Sequence, residues 1–436
     1  MKRLITKRLS DWKNNLNRKP LIVRGARQVG KTYTIKEFGE KNYKNSYLID
    51  LERNPELKLI FSKNKDPKRI LSELELFLNR QINIKTDLLI IDEIQNAPDA
   101  LASLRYFYEE LPDLNLIAAG SLIEFAVKDI SFPVGRVETI SMHPMNFEEF
   151  LIALNKNILV DHLNNNKNKN QPELFHEYIL EELKNYFLVG GMPEAVKVYL
   201  GTGSFIAVES VHKNLMDTYR QDFSKYAGRA DKRCLDEVLI SSAKNVGKQT
   251  KYVNLAKDFS IPTIKNAYNL LLKANIINKV ESADPSGLPL GSNVSTKIFK
   301  TIFLDIGLMN RVCELNLNPV KLKNDLLSLY RGALAEQFVG QEMLSAGSNQ
   351  LFYWTRNARN SSAEVDYLFS RENSVIPIEV KSGPSGKLKS MHMILKNYKN
   401  IQEGFVLSTA KYSTLPEQKI KFIPLYYTSR IMKEKF

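Results

Sequence analysis

The segment GARQVGKT, Gly25 to Thr32, has the residue types and spacing that bind nucleotide phosphates. It fits G-x-x-x-x-G-K-[ST], and it lies between PLIVRG, which has the pattern of a strand, and YTIKEFGEKN, which has the pattern of a helix. Glycines let backbone N–H groups close around phosphates, Lys31 reaches the β- and γ-phosphates, and the Thr32 hydroxyl can bind Mg²⁺. An ordinary strand-to-helix turn is the alternative. The predicted nucleotide contacts are Gly25, Ala26, Arg27, Gln28, Val29, Gly30, Lys31 and Thr32.

Two acids and a serine end the next apolar runs. LLIIDE ends in Asp92 and Glu93, and LNLIAAGS ends in Ser121. Asp92 is expected to bind Mg²⁺, and Glu93 is expected to orient and deprotonate the attacking water. We expect Ser121 to contact the γ-phosphate or that water, with a helix cap at Asp92 and a plain turn at Ser121 as the alternatives. The string KNKDP lacks the spacer of the guanine-binding N-K-x-D, so the sequence favours ATP.

The stretch PIEVKSG near the C-terminus places two charges inside an apolar frame. AEVDYLFS and SVIPIEVK flank the turn-forming RENS and predict a hairpin in which Ser370 pairs with Val375. Strand side chains alternate between the two faces, so the acids and the lysine of this hairpin share one face. In this register, Asp366 faces Glu379 and Glu364 faces Lys381.

Directly opposed carboxylates destabilise a sheet unless a cation lies between them. Asp366 and Glu379 are therefore predicted to hold a second Mg²⁺ or a Mn²⁺. Lys381 is predicted to position or activate water beside a scissile phosphate, as in a metal-dependent phosphodiesterase. The alternative is an inactive scaffold whose Glu379–Lys381 and Glu364–Lys381 contacts are ordinary surface ion pairs.

Alternating strand and helix patterns surround the phosphate-binding segment. YLIDLE, LLIIDE and LNLIAAGS are apolar on both flanks, which predicts a parallel sheet with helices on both faces. Residues 1–160 are predicted to form this core. A linker is expected at Asp161 to Gln171, where the chain reads DHLNNNKNKNQ.

Residues 231–305 have the order of elements of a winged helix. YVNLAKDFSIPTIKNAYNLLLK predicts a short helix, a turn and a longer helix that starts at Pro262. IINKVES and KIFKTIFLD follow as a hairpin. Only Lys265 and Lys273 are basic on the longer helix, so a protein-interaction or lid module stays open beside DNA binding.

Composition narrows the class of protein. The chain has 436 residues, a formal net charge of +14 and two cysteines, Cys234 and Cys313, without metal-site spacing. The N-terminus lacks the apolar region of a signal peptide, and no apolar run approaches the ~18 residues of a membrane span. We therefore expect a cytoplasmic protein with no membrane partner. The charge suits DNA, although lysine and asparagine are abundant throughout the chain, which is the alternative explanation.

Seven strings, in chain order, resemble one family: GARQVGKT, LLIIDEIQNAPD, LIAAGS, VGRVETISMHPMNFEEFL, YFLVGGMPEAV, RGALAEQFV and EVDYLF…IPIEVKSG. They are similar to prokaryotic AAA-type P-loop ATPases fused to a C-terminal PD-(D/E)XK nuclease-like domain of uncharacterised function. The resemblance covers nearly the whole chain. One departure is Val365, which stands where the nuclease signature has a proline before its first acid.

The resemblance implies further roles. It implies that Arg136 senses the γ-phosphate, from its own or a neighbouring subunit, and that Pro193 packs on adenine. It also implies that Glu336 adds an acid to the metal site of Asp366 and Glu379. A surface ion pair at Arg136 and a simple helix break at Pro193 are the alternatives.

Taken together, the sequence predicts a multidomain α/β protein. The expected domains are an AAA-type ATPase core at 1–160, a helical lid at 171–230, a winged helix at 231–305 and a restriction-endonuclease-like domain at 325–436. The predicted function is ATP binding and hydrolysis coupled to the winged helix and the nuclease-like domain, with DNA as the expected substrate and self-assembly left open. The alternative is an ATP-dependent regulatory switch whose C-terminal domain binds nucleic acid or protein without cutting it.

Overall fold

The computed structural model of the chain describes residues 1–126, 132–165, 171–226, 231–314, 331–358, 361–383 and 388–432. Two compact units are present. Unit 1 comprises Met1–His143 and Lys273–Asn275, and unit 2 comprises Pro144–Leu272 and Ile276–Phe436. Within the described residues, we find no helix with the length and apolar character that a bilayer crossing requires.

Unit 1 is built on a five-stranded sheet with the order β2-β3-β4-β1-β5. All neighbouring strands are parallel, which confirms the sheet predicted from the continuous apolar runs. β3 and β4 are buried along their whole length, as expected for strands covered on both faces. The strands are β1 (Leu21–Arg24), β2 (Ser46–Asp50), β3 (Leu88–Asp92), β4 (Asn115–Gly120) and β5 (Glu138–Ser141).

Helices pack around this sheet and fix the ends of its strands. A core of buried aliphatic and aromatic side chains joins the strands to the helices, with Ile91 of β3 and Phe107 of α5 among its members. This packing fixes the positions of the strand ends, from which the loops begin. The helices in unit 1 are α1 (Ile5–Asn14), α2 (Lys31–Asn42), α3 (Lys58–Lys63), α4 (Pro67–Leu78), α5 (Pro98–Glu110) and α6 (Ile123–Ala126).

Unit 2 begins at Pro144, earlier than the boundary predicted at residue 160. The helix that follows starts at a capping box, in which Asn146 and Glu149 each accept the other's backbone N–H. Phe147 then packs edge-on against Tyr186 and Phe338, at centroid distances of 5.7 and 6.3 Å. These aromatic contacts tie the segment to unit 2, and the predicted domain boundary at residue 160 stays a prediction.

The described part of unit 2 is rich in helices, including the region predicted as a helical lid. The helices are α7 (Phe147–Ala153), α8 (Asn157–Asn165), α9 (Glu173–Val189), α10 (Pro193–Thr202), α11 (Phe205–Tyr226), α12 (Lys232–Lys244), α13 (Ile261–Lys273), α14 (Ile306–Val312), α15 (Arg331–Ser345), α16 (Lys389–Asn397) and α17 (Thr428–Ile431).

A single eight-stranded sheet runs through unit 2, with the order β12-β13-β11-β10-β9-β8-β6-β7. Its strands are β6 (Ile277–Ala283), β7 (Val294–Phe303), β8 (Leu351–Ala358), β9 (Ser361–Arg371), β10 (Ser374–Val380), β11 (Gly404–Ser408), β12 (Ser413–Leu415) and β13 (Ile420–Pro424).

The two domains predicted at 231–305 and 325–436 are not separate sheets. β6 pairs antiparallel with β7 and parallel with β8, where Val280 lies beside Leu351. The expected order of helices and hairpin is present as α12, α13 and β6–β7, but the hairpin continues the C-terminal sheet. The physical reason is that β6 has a second edge to satisfy, and β8 supplies its hydrogen bonds.

The hairpin of β9 and β10 has the predicted register. Ser370 lies opposite Val375, and the pairing continues to Tyr367 opposite Ile378. The loop is shorter than the predicted four residues, because Arg371 already pairs with Ser374. Glu372 adopts a left-handed conformation with φ 53°, which allows the tight two-residue connection.

Candidate active site

The phosphate-binding segment connects the end of β1 to the start of α2 at Lys31. Gly30 has φ 94° and Gly25 has φ 154°, both in the range that favours glycine. A Cβ atom on Gly25 would lie 2.1 Å from the carbonyl oxygen of Met142, so this glycine is required by close packing as well. The loop therefore has the geometry that its sequence predicts.

Lys31 is buried and lies over the loop. Its Nζ donates to the carbonyl oxygens of Gly25 at 3.1 Å and Ala26 at 2.8 Å. Burial lowers the pKa of Lys31 to about 8, although the carboxylates of Glu93 and Asp92 act in the opposite direction. The ammonium is thus held at the loop, close to the two acids at the end of β3.

Thr32 and Asp92 meet at the end of the sheet. The Thr32 hydroxyl donates to Asp92 Oδ2 at 2.6 Å, and the backbone N–H of Glu93 donates to Asp92 Oδ1 at 3.0 Å. Burial raises the pKa of Asp92, and the hydrogen bond from Thr32 partly offsets that rise. A hydroxyl beside a carboxylate offers the oxygen ligands that Mg²⁺ prefers, so these two residues fit the ion.

Glu93 has an unusual backbone, with φ 50° and ψ 43°. Its Oε2 accepts a hydrogen bond from Nε2 of Gln95. Burial raises the pKa of Glu93, whereas the bond from Gln95 lowers it. The sequence analysis did not single out Gln95; its only signal is a polar residue just after a strand that ends in two acids.

Several buried polar atoms near Glu93 have no hydrogen-bond partner among the described residues. Ser121 is buried, and its Oγ, with Gln95 Oε1 and Glu124 Oε2, has no hydrogen-bond partner among the described residues. A Cβ on Gly120 would lie 2.5 Å from Gln95 Oε1, which places this amide against the end of β4. Buried polar atoms are rarely left without partners, so this edge of the sheet is suited to polar ligands.

Arg136 does not join this group. It precedes β5, which is parallel to β1, whereas the phosphate-binding loop follows β1. Parallel strands begin at one edge of a sheet and end at the other, so Arg136 and the loop lie at opposite edges. Nε of Arg136 binds Oε1 of Glu109, which lies on α5, at 2.9 Å. The two side chains are 44% and 32% exposed to solvent.

Pro193 is the first residue of α10, in unit 2. The preceding glycines are fixed by packing: Gly191 N–H donates to Asp305 Oδ2 at 2.6 Å, and a Cβ on Gly191 would lie 1.9 Å from the Met145 carbonyl oxygen. Asp305 was not among the residues predicted from the sequence. The helix break expected as an alternative is present, and the adenine contact of Pro193 stays a prediction.

The acids of the C-terminal hairpin gather around a residue that the sequence analysis missed, Lys300 of β7. Lys300 Nζ lies 2.7 Å from Glu336 Oε1 and 3.3 Å from Asp366 Oδ1, and it also contacts Glu364 Oε1. The structure thus brings Glu336 and Asp366 together, as predicted, but around an ammonium group. The sequence signal for Lys300 was a lysine on the strand face that also carries Ile302.

Glu379 and Lys381 form a neighbouring pair. Lys381 Nζ lies 2.6 Å from Glu379 Oε1, and the Val380 N–H donates to Asp366 Oδ2 at 2.8 Å. Burial, with Asp366 nearby, raises the pKa of Glu379 to about 7. The ion-pair partner of Glu364 is Lys300 of β7 and not Lys381, although β8 and β6 separate β7 from β9 in the order of the sheet.

The C-terminal metal site stays a prediction, and its acids already contact lysines. Across the described ranges, no group of three or more His, Cys, Asp or Glu side chains is placed to hold a metal ion. Glu336 and Asp366 are bound to Lys300, and Glu379 is bound to Lys381.

Three family models match parts of the chain. Residues 17–151 match a model described as an AAA domain. Residues 180–320 and 331–428 match two domains of unknown function, DUF8612 and DUF4143. No curated protein matches the chain.

Several solved structures show a slight likeness to this chain. The Aeropyrum pernix ORC1 protein in complex with DNA is 11% identical, with 73% of this chain and 92% of that chain covered and a TM-score of 0.27. The Thermotoga maritima RuvB Holliday junction branch migration motor is 15% identical, with 67% and 91% covered and a TM-score of 0.30. Drosophila ORC bound to DNA is 14% identical, with 72% and 95% covered and a TM-score of 0.27. Residues 17–151 thus match an AAA domain, and the same residues contain the parallel sheet and the phosphate-binding loop described above.

Proposed function

We propose that the chain binds ATP with Mg²⁺ in unit 1, hydrolyses it, and passes its nucleotide state to unit 2, which acts on DNA. The observation that carries the ATPase part is the 2.6 Å contact between Thr32 and Asp92, with Lys31 and Glu93 beside it. Phosphate, metal and base functions thus meet at one edge of one sheet, as phosphoryl transfer requires.

Each residue at this edge has a distinct task. The ammonium of Lys31 turns from the loop carbonyls to the β- and γ-phosphates of ATP. Thr32 and Asp92 would hold Mg²⁺, which supplies charge stabilisation for the phosphoryl oxygens. Glu93 takes the proton of the attacking water, and burial, which raises its pKa, suits a general base. Ser121, with an unpartnered hydroxyl, donates to the γ-phosphate or the water.

Arg136 is proposed to serve a second copy of the chain. Its place at the far edge of the sheet separates it from the loop of its own subunit. It lines a cavity of about 420 Å³ together with Lys65 and Arg105, so three cationic residues lie together there, with Asp99 and Glu109 as their acidic partners. A cationic surface of this kind suits the phosphates of a nucleotide held by a neighbour, which makes self-assembly part of the proposal.

DNA is proposed as the partner of unit 2. Support comes from the formal net charge of +14 and from Lys265, which is exposed on α13. Within this proposal, the contacts of Lys300 favour the regulatory form, in which the C-terminal sheet binds a partner without cutting it.

The deciding experiment measures ATP turnover by the full chain with Mg²⁺, with and without duplex DNA. Turnover that depends on Mg²⁺ and changes with DNA supports both parts. Turnover that ignores DNA removes the DNA part, and absence of ATP binding removes the ATPase part.

A further inference from the structure

The acids of the C-terminal hairpin already surround a cation that belongs to the chain. An ammonium group has three N–H donors. Those of Lys300 face three carboxylates: Glu336 on α15, and Glu364 and Asp366 on β9. One side chain of β7 therefore uses its full hydrogen-bonding capacity on two other elements of unit 2.

The remaining oxygens of this cluster are occupied or packed. Gln249 Nε2 donates to Glu364 Oε2 at 2.5 Å, and Val380 N–H donates to Asp366 Oδ2 at 2.8 Å. A Cβ on Gly247 would lie 2.5 Å from Glu336 Oε2, so backbone packs directly against this carboxylate. A divalent ion coordinated by oxygen needs several open ligand directions at about 2.0–2.6 Å, and these carboxylates leave few.

Lys300 is buried beside an aromatic ring. Lys300 is 1% exposed, and its Nζ lies 5.3 Å from the centre of the Tyr353 ring. The ammonium of Lys300 is therefore shielded from solvent and held among the three carboxylates.

We propose that Lys300 is the resident cation of this cluster, and that it takes the place of a divalent ion by joining the β6–β7 hairpin to α15 and β9. Removing one partner of a buried ion cluster is costly, because the other charges stay buried. The cluster is thus a structural joint between the helix–hairpin segment and the rest of the sheet. This inference rests on the regulatory form of the proposed function for unit 2 only, and it is independent of ATP hydrolysis.

The test measures Mn²⁺ and Tb³⁺ binding to the full chain without nucleotide. All variants carry Asp92→Asn, so that the site in unit 1 does not contribute. The native cluster should bind neither ion, whereas Lys300→Ser should bind about one ion per chain and gain thermal stability as the ion is added. Tyr353 should sensitise Tb³⁺ emission in that variant because of its closeness to the vacated position.

Lys381→Ser is the matched control. It removes the lysine that pairs with Glu379 but keeps Lys300, so it should bind no ion. The proposal is overturned if the native cluster binds Mn²⁺ and loses that binding in Asp366→Asn, or if folded Lys300→Ser binds none. Should circular dichroism show that Lys300→Ser does not fold, the comparison of the native cluster with Asp366→Asn decides alone.

Discussion

The hydroxyl of Thr32 lies 2.6 Å from the carboxylate of Asp92, although 60 positions separate the two residues in sequence. Thr32 is in the first turn of α2, and Asp92 ends β3. The parallel sheet brings these two ends to one edge. A contact of this kind cannot arise from either motif alone, so it supports the proposal that both belong to one nucleotide site.

Lys31 and Glu93 should separate binding from turnover. Lys31→Ala removes a charged hydrogen bond to the phosphates and should weaken ATP binding by about tenfold to a hundredfold. Glu93→Gln should keep the affinity and lower kcat by about 10²–10⁴-fold, because a general base is lost. Isothermal titration with ATP and a phosphate-release assay measure the two effects. Parent-like turnover in both variants would refute the assignment.

Gln95→Leu should move the pH dependence of turnover. The hydrogen bond from the side-chain amide of Gln95 favours the charged form of Glu93 and lowers the pKa of Glu93. Without that bond the pKa rises, so the base is protonated at higher pH and the acidic limb of the kcat profile shifts upward. The exposed Gln81 gives a matched control as Gln81→Leu, with an unchanged profile. A profile that does not move in Gln95→Leu would show that the contact does not tune the base.

Arg136 should act across subunits. Arg136→Ala and Lys31→Ala should each be inactive alone, for different reasons. When mixed, the first supplies intact nucleotide sites and the second supplies intact arginines, so part of the turnover should return. Turnover of the mixture no greater than the sum of the two separate variants would remove the proposed role in trans.

Glu342 should make stability depend on pH. Burial raises its pKa from the ordinary 4.5 to about 8, while it accepts the Phe147 N–H at 2.9 Å. An acid with a raised folded pKa contributes stability below pH 4.5 and loses that contribution as the pH passes 8. Glu342→Gln keeps an acceptor oxygen and removes the charge. Its advantage in unfolding midpoint over the parent should therefore grow from pH 5 to 8, and reach on the order of a few kcal/mol in stability.

The exposed Glu177 provides the control for that comparison. Glu177→Gln should show a difference from the parent that stays flat across the same pH range. An equally flat difference for Glu342→Gln would mean that the buried carboxyl does not titrate in this window.

Lys265 and Lys273 test the DNA part of the proposal. Reversing both to glutamate should weaken binding to all duplexes and reduce the salt slope by about one unit per lost phosphate contact. Lys7 and Lys85 are exposed on unit 1, and reversing them gives the same loss of net charge. If both double variants change the slope equally, net charge alone explains binding and α13 has no special part in it.

Local patterns predicted the strand–loop–helix of the phosphate-binding segment and the hairpin register well. The conformation of the GKT segment is set by residues close to it in sequence. In the hairpin, the alternation of side chains around a tight turn fixes Ser370 opposite Val375. Lys300 was not predicted because its acidic partners lie on two other elements, one of which is α15. The pairing of β6 with β8 is equally long-range. The early start of unit 2 had a visible signal in the Asn146–Glu149 spacing, but the asparagine-rich segment farther along suggested a later boundary.

The eight-stranded sheet cannot be completed until the C-terminal end of the chain has been made. β6 needs β8, which begins at Leu351, and β11 needs β13, which begins at Ile420. The sheet of unit 1 needs only residues up to Ser141. During synthesis, the ATPase sheet can therefore form first, while β6 still presents an unpaired edge of the kind that promotes aggregation. A chain interrupted before Leu351 would keep its nucleotide-binding edge and expose that strand.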